Sequence, residues 1–331
     1  MKIINPERQT VTGSTITSVD TNFPIANLFD NHPRNVTKAN AEEETTIRVK
    51  IGTGSNAIAV FNTNADDVVC TITADDDEKL INAAAAAATD ETGGLVGIPV
   101  TSHGYSTGDT ILLNATDNYD GVYSVHADTT EHKIVITATY AAETFDGDET
   151  VAIVQDTEIF DLQLIDTYAR FFADNPLVYR RFWMDYTYQV GACTATITLT
   201  ADAGTTVYAG VVKAGTAYEF VNPAYGLHEG RKSYGVKKRL NNGGLYGRTR
   251  NIVRTFSGEM LLIRATDETD EYYKFMDIYD QFGEETPFAA VVVSGIKDVE
   301  WAVYCTFDAP IQSVHEYPDG SLVSFNWLEE I

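Results

Sequence analysis

The sequence has little cysteine and no long apolar stretch. Its three cysteines, Cys70, Cys193 and Cys305, lie more than 100 positions apart, a spacing that offers neither a disulfide framework nor a set of zinc ligands. We interpret them as three buried thiols. The longest apolar run, around residues 83–88, is far too short to cross a bilayer, and the N-terminal residues include no apolar signal segment. We therefore expect a protein that is made in a cytoplasm and does not insert into membranes.

Positive charge is also scarce. Lys and Arg number 23 against 48 Asp and Glu, which gives a formal net charge of −25. A surface that binds nucleic-acid phosphates needs clustered basic residues, so general nucleic-acid binding and attraction to an anionic membrane are disfavoured. Hydrophobic residues make up 44% of the 331 positions and charged residues 21%, so we expect a buried core, in a chain long enough for two or three domains.

Motifs for catalysis and for cofactor or metal binding are missing. The six histidines never take an HExxH or another metal-ligand spacing, no G-x-S-x-G elbow occurs, and residues 52–56 do not form a phosphate-binding loop. We interpret His103 as a structural turn residue. The sequence therefore predicts no enzyme, no cofactor and no metal. A pair of catalytic carboxylates, as glycosidases use, remains an alternative, because no motif selects one pair among the 48 carboxylates.

Acidic clusters invite a calcium interpretation. They lie at residues 75–78, at Asp117 with Asp120, and at residues 146–149. Oxygen ligands in Gly-containing loops suit Ca²⁺, but none of these clusters has the EF-hand spacing with a distal Glu. We favour solvated turns, and the Asp120-Gly121 pair is typical of a hairpin turn.

Strand patterns dominate the chain. Residues 46–51 and 194–200 alternate apolar and polar side chains, whereas residues 57–61 and 289–293 are typical of buried strands. Gly, Asn and Asp punctuate them at short spacing. A mainly β architecture is predicted.

One amphipathic helix is predicted at residues 267–282. Its apolar face repeats with helical spacing, its first turn is acidic, and Gly283 and Pro287 end it. The face consists of Tyr272, Phe275, Met276, Tyr279 and Phe282. Residues 83–88 are six alanines, which form either a second helix or a spacer.

Residues 94–154 form a unit of about five short predicted strands that contains two motifs. The first is His-Gly-x-Ser-x-Gly-Asp at residues 103–109, and the second is Asn-Tyr-Asp-Gly-x-Tyr-x-Val at residues 118–125. Together they resemble the small β-barrel module, related to a domain of ubiquitin-activating enzymes, that recurs inside bacteriophage virion proteins.

The flanking segments resemble phage patterns as well. Residues 27–34, 46–52 and 57–62, completed by residues 182–183, 194–200 and 210–215, are similar to the discoidin-like β-sandwich of many tail proteins. Residues from about 223 onward resemble the C-terminal part of tail-tip and connector-like proteins, in which a sheet with one helix joins neighbouring subunits. The resemblance implies that the barrel is an insertion, which costs little because loop-closure entropy grows slowly with length.

The expected architecture is a β-sandwich with an inserted small β-barrel, followed by a β-sheet domain that carries one amphipathic helix. The predicted boundaries are 1–90 for the first part of the sandwich, 91–156 for the barrel, 157–222 for the second part of the sandwich and 223–331 for the C-terminal assembly domain.

Residues 223–264 are basic in an acidic chain, with nine basic and two acidic side chains. Docking of one subunit on an acidic face of the next would use such a segment, since Arg favours bidentate pairing with carboxylates. Two alternatives stay open: a solvated basic sheet face, and contact with DNA passing through a tail lumen. The candidate interface residues are Arg231, Lys232, Lys237, Lys238, Arg239, Arg248, Arg250 and Arg254.

Aromatic residues cluster at residues 179–188. Phe182, Met184, Tyr186 and Tyr188 alternate with more polar positions, which favours a strand with one face in the core. A subunit interface or glycan binding are the alternatives.

The resemblance implies a non-enzymatic structural subunit of a phage virion, in the tail or its tip. We expect a homo-oligomeric ring that docks other tail proteins, is assembled in the host cytoplasm and resides in the virion. The alternative function is a module that binds carbohydrate receptors on the host surface, and depolymerisation of host polysaccharide is a third hypothesis.

Overall fold

A computed structural model gives the fold of most of the chain. It describes residues 1–5, 12–16, 19–42, 44–81, 86–164, 177–178, 180–223, 227–234, 236–239, 245–248, 252–264, 270–295, 301–317 and 320–330. Antiparallel strands predominate in these residues, which confirms the predicted mainly β class. Helical turns are few: the 3-10 helices Ile25–Phe29 and Asp75–Asp77, and the α-helix α1 at Glu271–Phe282.

The strands of the first half, in chain order, are β1 (Lys2–Ile4), β2 (Thr12–Ile16), β3 (Thr37–Glu42), β4 (Glu44–Ile51), β5 (Ser55–Phe61), β6 (Asp67–Ala74), β7 (Lys79–Leu80), β8 (Thr89–Asp90), β9 (Leu95–Pro99), β10 (Thr110–Asn114), β11 (Gly121–Ser124), β12 (Lys133–Thr137), β13 (Thr150–Asp161) and β14 (Gln163–Leu164). Those of the second half are β15 (Leu177–Val178), β16 (Arg181–Gln189), β17 (Cys193–Thr200), β18 (Thr206–Ala209), β19 (Val211–Gly215), β20 (Ala217–Glu219), β21 (His228–Ser233), β22 (Val236–Arg239), β23 (Leu245–Arg248), β24 (Ile252–Ile263), β25 (Phe288–Val291), β26 (Ala302–Phe307), β27 (Gln312–Tyr317) and β28 (Gly320–Glu329).

Two sheets pack face to face to form the sandwich. One has the order β13-β6-β17-β4-β2 and the other β16-β5-β19. Alternate residues of β17 point into the space between them, so that Ile197 lies between Ile47 of β4 and Cys70 of β6. The core also receives Phe182, Met184 and other apolar side chains from the facing sheet. The predicted strands at 46–51, 57–61 and 194–200 are all confirmed.

The small module lies between β6 and β17 in sequence and has its own core. Strands β8, β9 and β12 form one sheet, and β7, β10 and β11 join the first half of β13 in another. Side chains from both sheets meet around Tyr119 and Phe145. The second half of β13 pairs with β6 in the sandwich, after an irregularity between Val154 and Asp156. One strand therefore belongs to both units.

The third unit is a sheet of order β20-β1-β25-β26-β28-β24-β21, with β27 on β28. Residues 1–5 differ from the predicted division: Lys2 of β1 pairs with Glu219 and Val291, so the first strand completes this sheet and not the sandwich. Local sequence could not indicate this, because the partners lie more than 200 positions away. Helix α1 covers one face of the sheet, over Phe256, Met260 and Phe325.

Helix α1 is confirmed as predicted, with a shifted face. Asp270 caps it by accepting a hydrogen bond from the Tyr273 N–H at 2.8 Å, and Gly283 ends it with φ of 57°. Phe275, Ile278 and Phe282 are its buried residues. Ile278 was not expected on this face, whereas Met276 is only half-buried. Residues 267–269 of the predicted helix lie outside the described part of the chain.

The alanine segment and the aromatic cluster need correction. Residues 86–88 are not helical: Ala87 forms an isolated bridge with Thr144, and Ala88 joins the core of the small module. Residues 82–85 lie outside the described residues. In β16 the expected alternation fails at two positions, since Tyr188 is 50% exposed and Trp183 is buried. The three cysteines are buried free thiols, as predicted.

Trp183 is buried because the sandwich and the C-terminal sheet pack against each other. The face of β5, β16 and β19 that turns away from the sandwich core meets β25 and β26 in a fourth apolar cluster. Small side chains there permit close approach of the two sheets. The cluster consists of Ile4, Ala57, Ala59, Phe61, Trp183, Val211, Ala289, Val291, Ala302 and Tyr304.

Candidate functional site

The predicted basic interface lies on the edge strand β21 and the segments that follow it. Among the described strands β21 pairs with β24 alone, and Arg231 stands opposite Arg254 in the register. The Arg231 side chain is 67% exposed, and its Nη2 lies 3.5 Å from Glu229 Oε1. The two residues therefore form a weak ion pair on the surface. Lys232 Nζ donates to both carboxylate oxygens of Asp308 at 2.8 and 2.9 Å, and these hydrogen bonds raise the pKa of Lys232.

Arg254 differs from Arg231 and Lys232 because its ion pair is buried, with the two side chains only 13% and 9% exposed. Its Nε donates to Glu329 Oε2 at 2.9 Å and its Nη2 to Glu329 Oε1 at 2.5 Å, a bidentate pair. Arg181 Nη1 of the sandwich strand β16 donates to the same Oε1 at 3.1 Å. Burial alone would raise the pKa of Glu329, but the hydrogen bonds and charges of Arg254 and Arg181 outweigh it and hold the pKa below its usual value. The triad ties the sandwich to the C-terminal sheet.

The remaining basic candidates lie on a hairpin that we call the basic ribbon, β22 and β23. It forms a two-stranded sheet with Val236 opposite Arg248, and no third strand joins it in the described chain. In sequence the ribbon lies between β21 and β24, the two strands at one edge of the C-terminal sheet. Its basic residues are Lys237, Lys238, Arg239 and Arg248. Arg250 lies outside the described residues.

An apolar surface adjoins this edge on the face of the sheet opposite α1. Leu322 of β28 stands between Leu261 of β24 and Val314 of β27, so the three side chains share one face. Leu261, Ile263 and Val314 are 47%, 52% and 50% exposed. We call these four residues the uncovered face. Neighbouring exposed apolar side chains of this kind mark contact surfaces more often than isolated ones do.

A polar cleft of about 360 Å³ lies where the loop after the first 3-10 helix meets the C-terminal sheet. Acidic Asp30, Glu285 and Glu330 line it, together with His32. Behind the cleft, Lys213 Nζ donates to Asn31 Oδ1 and sits 5.8 Å from the Tyr304 ring centre. Burial lowers the pKa of Lys213 to about 8.

A second cleft, of about 350 Å³, separates the sandwich from the small module. Threonines and Arg48 line it on the sandwich side, and β10 and β11 line it on the other. Neither cleft was indicated by a sequence motif.

The acidic clusters and His103 form turns. Glu149 accepts hydrogen bonds from the N–H groups of Asp146 and Gly147 at 2.9 and 2.8 Å. It is buried, so the expected solvated turn is wrong for this carboxylate. His103 accepts the Tyr105 N–H at Nδ1, 2.9 Å away, and donates from Nε2 to the Thr130 carbonyl at 2.6 Å, as a structural turn residue does.

Sequence reasoning missed the uncovered face, Lys213 and the second cleft. The sequence does contain a signal for the uncovered face, because residues 260–263 are four apolar residues in a row. Only alternate residues of a strand can face α1, so two of the four must lie on the other face. Lys213 and the second cleft depend on contacts between units distant in sequence.

No protein-family model matches the chain, and no curated protein sequence matches it. In the described parts of the chain, no helix combines the length and the apolar character that crossing a bilayer requires.

Proposed function

We propose that the chain is a structural subunit of a bacteriophage virion, in the tail or tail tip, which forms a homo-oligomeric ring and docks other tail proteins. One observation carries the proposal. The C-terminal sheet presents an uncovered apolar face and a basic ribbon, in a chain whose net charge is −25.

These two surfaces suit different parts of an association. Burial of Leu261, Ile263 and Val314 supplies free energy, because each is about half exposed in the single chain. The basic ribbon supplies orientation, because it attracts the acidic surface of a second copy and repels another ribbon. A contact between unlike surfaces is heterologous, and such contacts close into rings when the rotation permits.

The body of the subunit is suited to a building block. The cluster around Trp183 and Tyr304 and the Arg254–Glu329–Arg181 triad join the sandwich to the C-terminal sheet, and the shared strand β13 joins the small module to the sandwich. Interfaces of this kind hold units in a fixed relation, which an assembly needs in order to repeat its geometry.

The alternative of glycan recognition through the aromatic cluster of β16 has less support. Phe182, Trp183 and Tyr186 are buried in apolar clusters, which leaves Tyr188, 50% exposed, as the accessible aromatic residue of this strand.

Sedimentation velocity of the full-length chain tests the proposal. We expect a concentration-dependent assembly of defined size, visible as rings by negative-stain electron microscopy, that weakens at high salt. The variant Lys237→Glu/Lys238→Glu/Arg239→Glu should weaken assembly at least about tenfold without loss of folding. Arg254 is left unchanged in this design because of its bond to Glu329.

A matched control makes the same change in net charge elsewhere. Lys50→Glu/Lys79→Glu/Lys274→Glu lies on β4, β7 and α1 and should leave assembly unchanged. Equal effects of both triple variants, or a wild-type chain that stays monomeric at every concentration, would refute the docking role. Absence of the chain from purified particles would refute the virion assignment.

A further inference from the structure

The cleft between the sandwich and the small module has a polar floor. The floor is the outer face of β4 and β17, where Thr46, Arg48, Thr196 and Thr198 point away from the sandwich core. The opposite wall comes from β10 and β11 and includes Leu112, a buried residue outside the core of the small module.

Two polar atoms in this floor have no hydrogen-bond partner within the described structure. They are Thr196 Oγ1, in a residue only 6% exposed, and Arg48 Nε. Thr196 and Arg48 are direct cross-strand neighbours, so both side chains lie on the same face of the sheet. An unpaired buried polar group costs stability, and natural proteins hold few of them without a reason.

The neighbouring threonines on the same face are satisfied. Thr194, two residues before Thr196 on β17, donates from Oγ1 to Asp75 Oδ1 at 2.6 Å. Thr198 Oγ1 and Thr46 Oγ1 lie 3.2 Å apart in a hydrogen bond. Tyr186 Oη, Gln281 Oε1 and Trp327 Nε1 are also unpaired elsewhere in the described residues, but on this face of β4 and β17 the two unpaired atoms belong to residues that line the cleft, where a bound molecule can complete their hydrogen bonds.

The charges around the cleft argue against an anion. Arg48 Nη2 already donates to Glu78 Oε1 at 2.7 Å, and two more carboxylates, Glu44 and Asp120, line the cleft. Because Glu78 pairs with Arg48, the two carboxylates that line the cleft repel a negative ligand. In the described residues no group of three His, Cys, Asp or Glu side chains has the arrangement of a metal site, and the cation Arg48 disfavours a metal as well.

A ligand of this cleft must both accept and donate hydrogen bonds. Arg48 Nε–H needs an acceptor, the Thr196 hydroxyl can donate or accept, and the Glu44 carboxylate accepts from donors. Asp120 Oδ1 already accepts hydrogen bonds from the N–H and the hydroxyl of Thr116. Leu112 offers an apolar wall for C–H groups. Hydroxyl groups on a compact carbon ring meet all these demands, and a cleft of about 350 Å³ holds one such ring rather than a chain. We propose that the cleft between β4–β17 and β10–β11 binds a single neutral sugar unit, with Thr196 and Arg48 as its hydrogen-bonding groups.

Binding to the full-length chain is measured by ligand-observed NMR and isothermal titration with D-glucose, D-galactose, D-mannose and N-acetyl-D-glucosamine. D-Glucuronate and N-acetylneuraminate are the acidic comparisons. We expect saturable binding of at least one neutral sugar and none of the acids. Binding of the acids alone would overturn the charge argument and with it the proposal.

Two valine variants of β17 separate a binding role from a structural one. Thr196→Val removes an unpaired hydroxyl, so it should weaken sugar binding about tenfold or more while the melting temperature stays the same or rises. Thr194→Val removes a satisfied hydroxyl of the same strand and face, so it should lower the melting temperature and leave binding unchanged.

The conservative variant Thr196→Ser retains the hydroxyl and should retain binding. If no neutral sugar binds, Thr196 is an unpaired group without a ligand and the proposal fails, whatever happens to assembly. Binding that is equal in the wild type and Thr196→Val would place the sugar elsewhere and would also overturn it. Because assembly uses other surfaces, this test is independent of the test of the docking role.

Discussion

One face of the C-terminal sheet has two halves that differ in what covers them. Over β25 and β26, Ala289, Val291 and Tyr304 lie under the sandwich and are at most 1% exposed. Over β24 and β27, Leu261 and Val314 are about half exposed. Both halves are apolar, so hydrophobic composition alone does not decide which is buried. Apart from Tyr304, the covered half carries small residues such as Ala289 and Ala302, which let another sheet approach, whereas the other half carries Leu261 and Ile263.

The largest loss of stability is expected at the Arg254–Glu329–Arg181 triad, which ties the sandwich to the C-terminal sheet. Glu329→Gln removes the carboxylate charge that pairs with the Arg254 and Arg181 guanidinium groups, in a site where all three side chains are less than a fifth exposed. Removal of one partner from such a site should lower the free energy of unfolding by about 3 kcal/mol, measured by urea denaturation. Glu229→Gln, which loses only the exposed pair with Arg231, should change it by less than about 0.5 kcal/mol. Equal losses of unfolding free energy in the two variants would mean that the triad does not stabilise the contact between the sandwich and the C-terminal sheet.

A pH effect should come from Lys213, which lies behind the covered half near Tyr304. The pKa of Lys213 is about 8 in the folded chain, against 10.5 for a free lysine. Between these values the unfolded chain binds more protons, so this group makes stability rise with pH from about 8 to 10.5 and destabilises the fold below pH 8.

The variant Lys213→Met tests this sign. It should be more stable than the wild type at pH 7, by at most about 3 kcal/mol, and the difference should shrink by pH 10. Unfolding free energies at both pH values measure it, with the exposed Lys50→Met as control. A difference that does not depend on pH would show that Lys213 stays charged in the folded chain.

The smallest change in stability is expected from truncating one apolar side chain in each half of the sheet face, which compares the two halves directly. Val291→Ala removes two buried methyl groups and should cost about 2 kcal/mol of stability. Leu261→Ala removes a larger but exposed group and should change monomer stability by less than about 0.5 kcal/mol, while it weakens self-association in sedimentation. If Leu261→Ala changes stability as much as Val291→Ala does, the uncovered face is not an interface between chains.

Local patterns sufficed for the strands and for α1. Residues 194–200 alternate because one side of the strand packs on an apolar core, and such a strand can be recognised from the two-residue periodicity of its sequence. In α1 the predicted face was offset because Tyr272 and Tyr279 keep their rings partly exposed, which left room for Ile278 to point to the sheet.

What failed depends on contacts between distant parts of the chain. Trp183 alternates out of the sandwich core, but a second sheet covers that side. Arg254 belongs to a basic run by sequence, yet its partner Glu329 lies 75 positions away. Lys213 lies on the face of β19 that turns away from the sandwich core, where Asn31 and Tyr304 lie close to it and leave it partly buried. Charge runs and hydrophobic periodicity report on residues that are close in sequence. The burial and pairing of Trp183, Arg254 and Lys213 are instead decided by residues that are distant in sequence and close in space.

The shared strand β13 makes the small module mechanically continuous with the sandwich. Its first half carries the ladder to β10 and its second half the ladder to β6, from Val154 to Asp161. A pull on the module along this strand loads the β6 ladder lengthwise, so that its hydrogen bonds resist together instead of opening one after another. Force applied to the module would thus reach the body of the subunit through a stiff element and not through a loop.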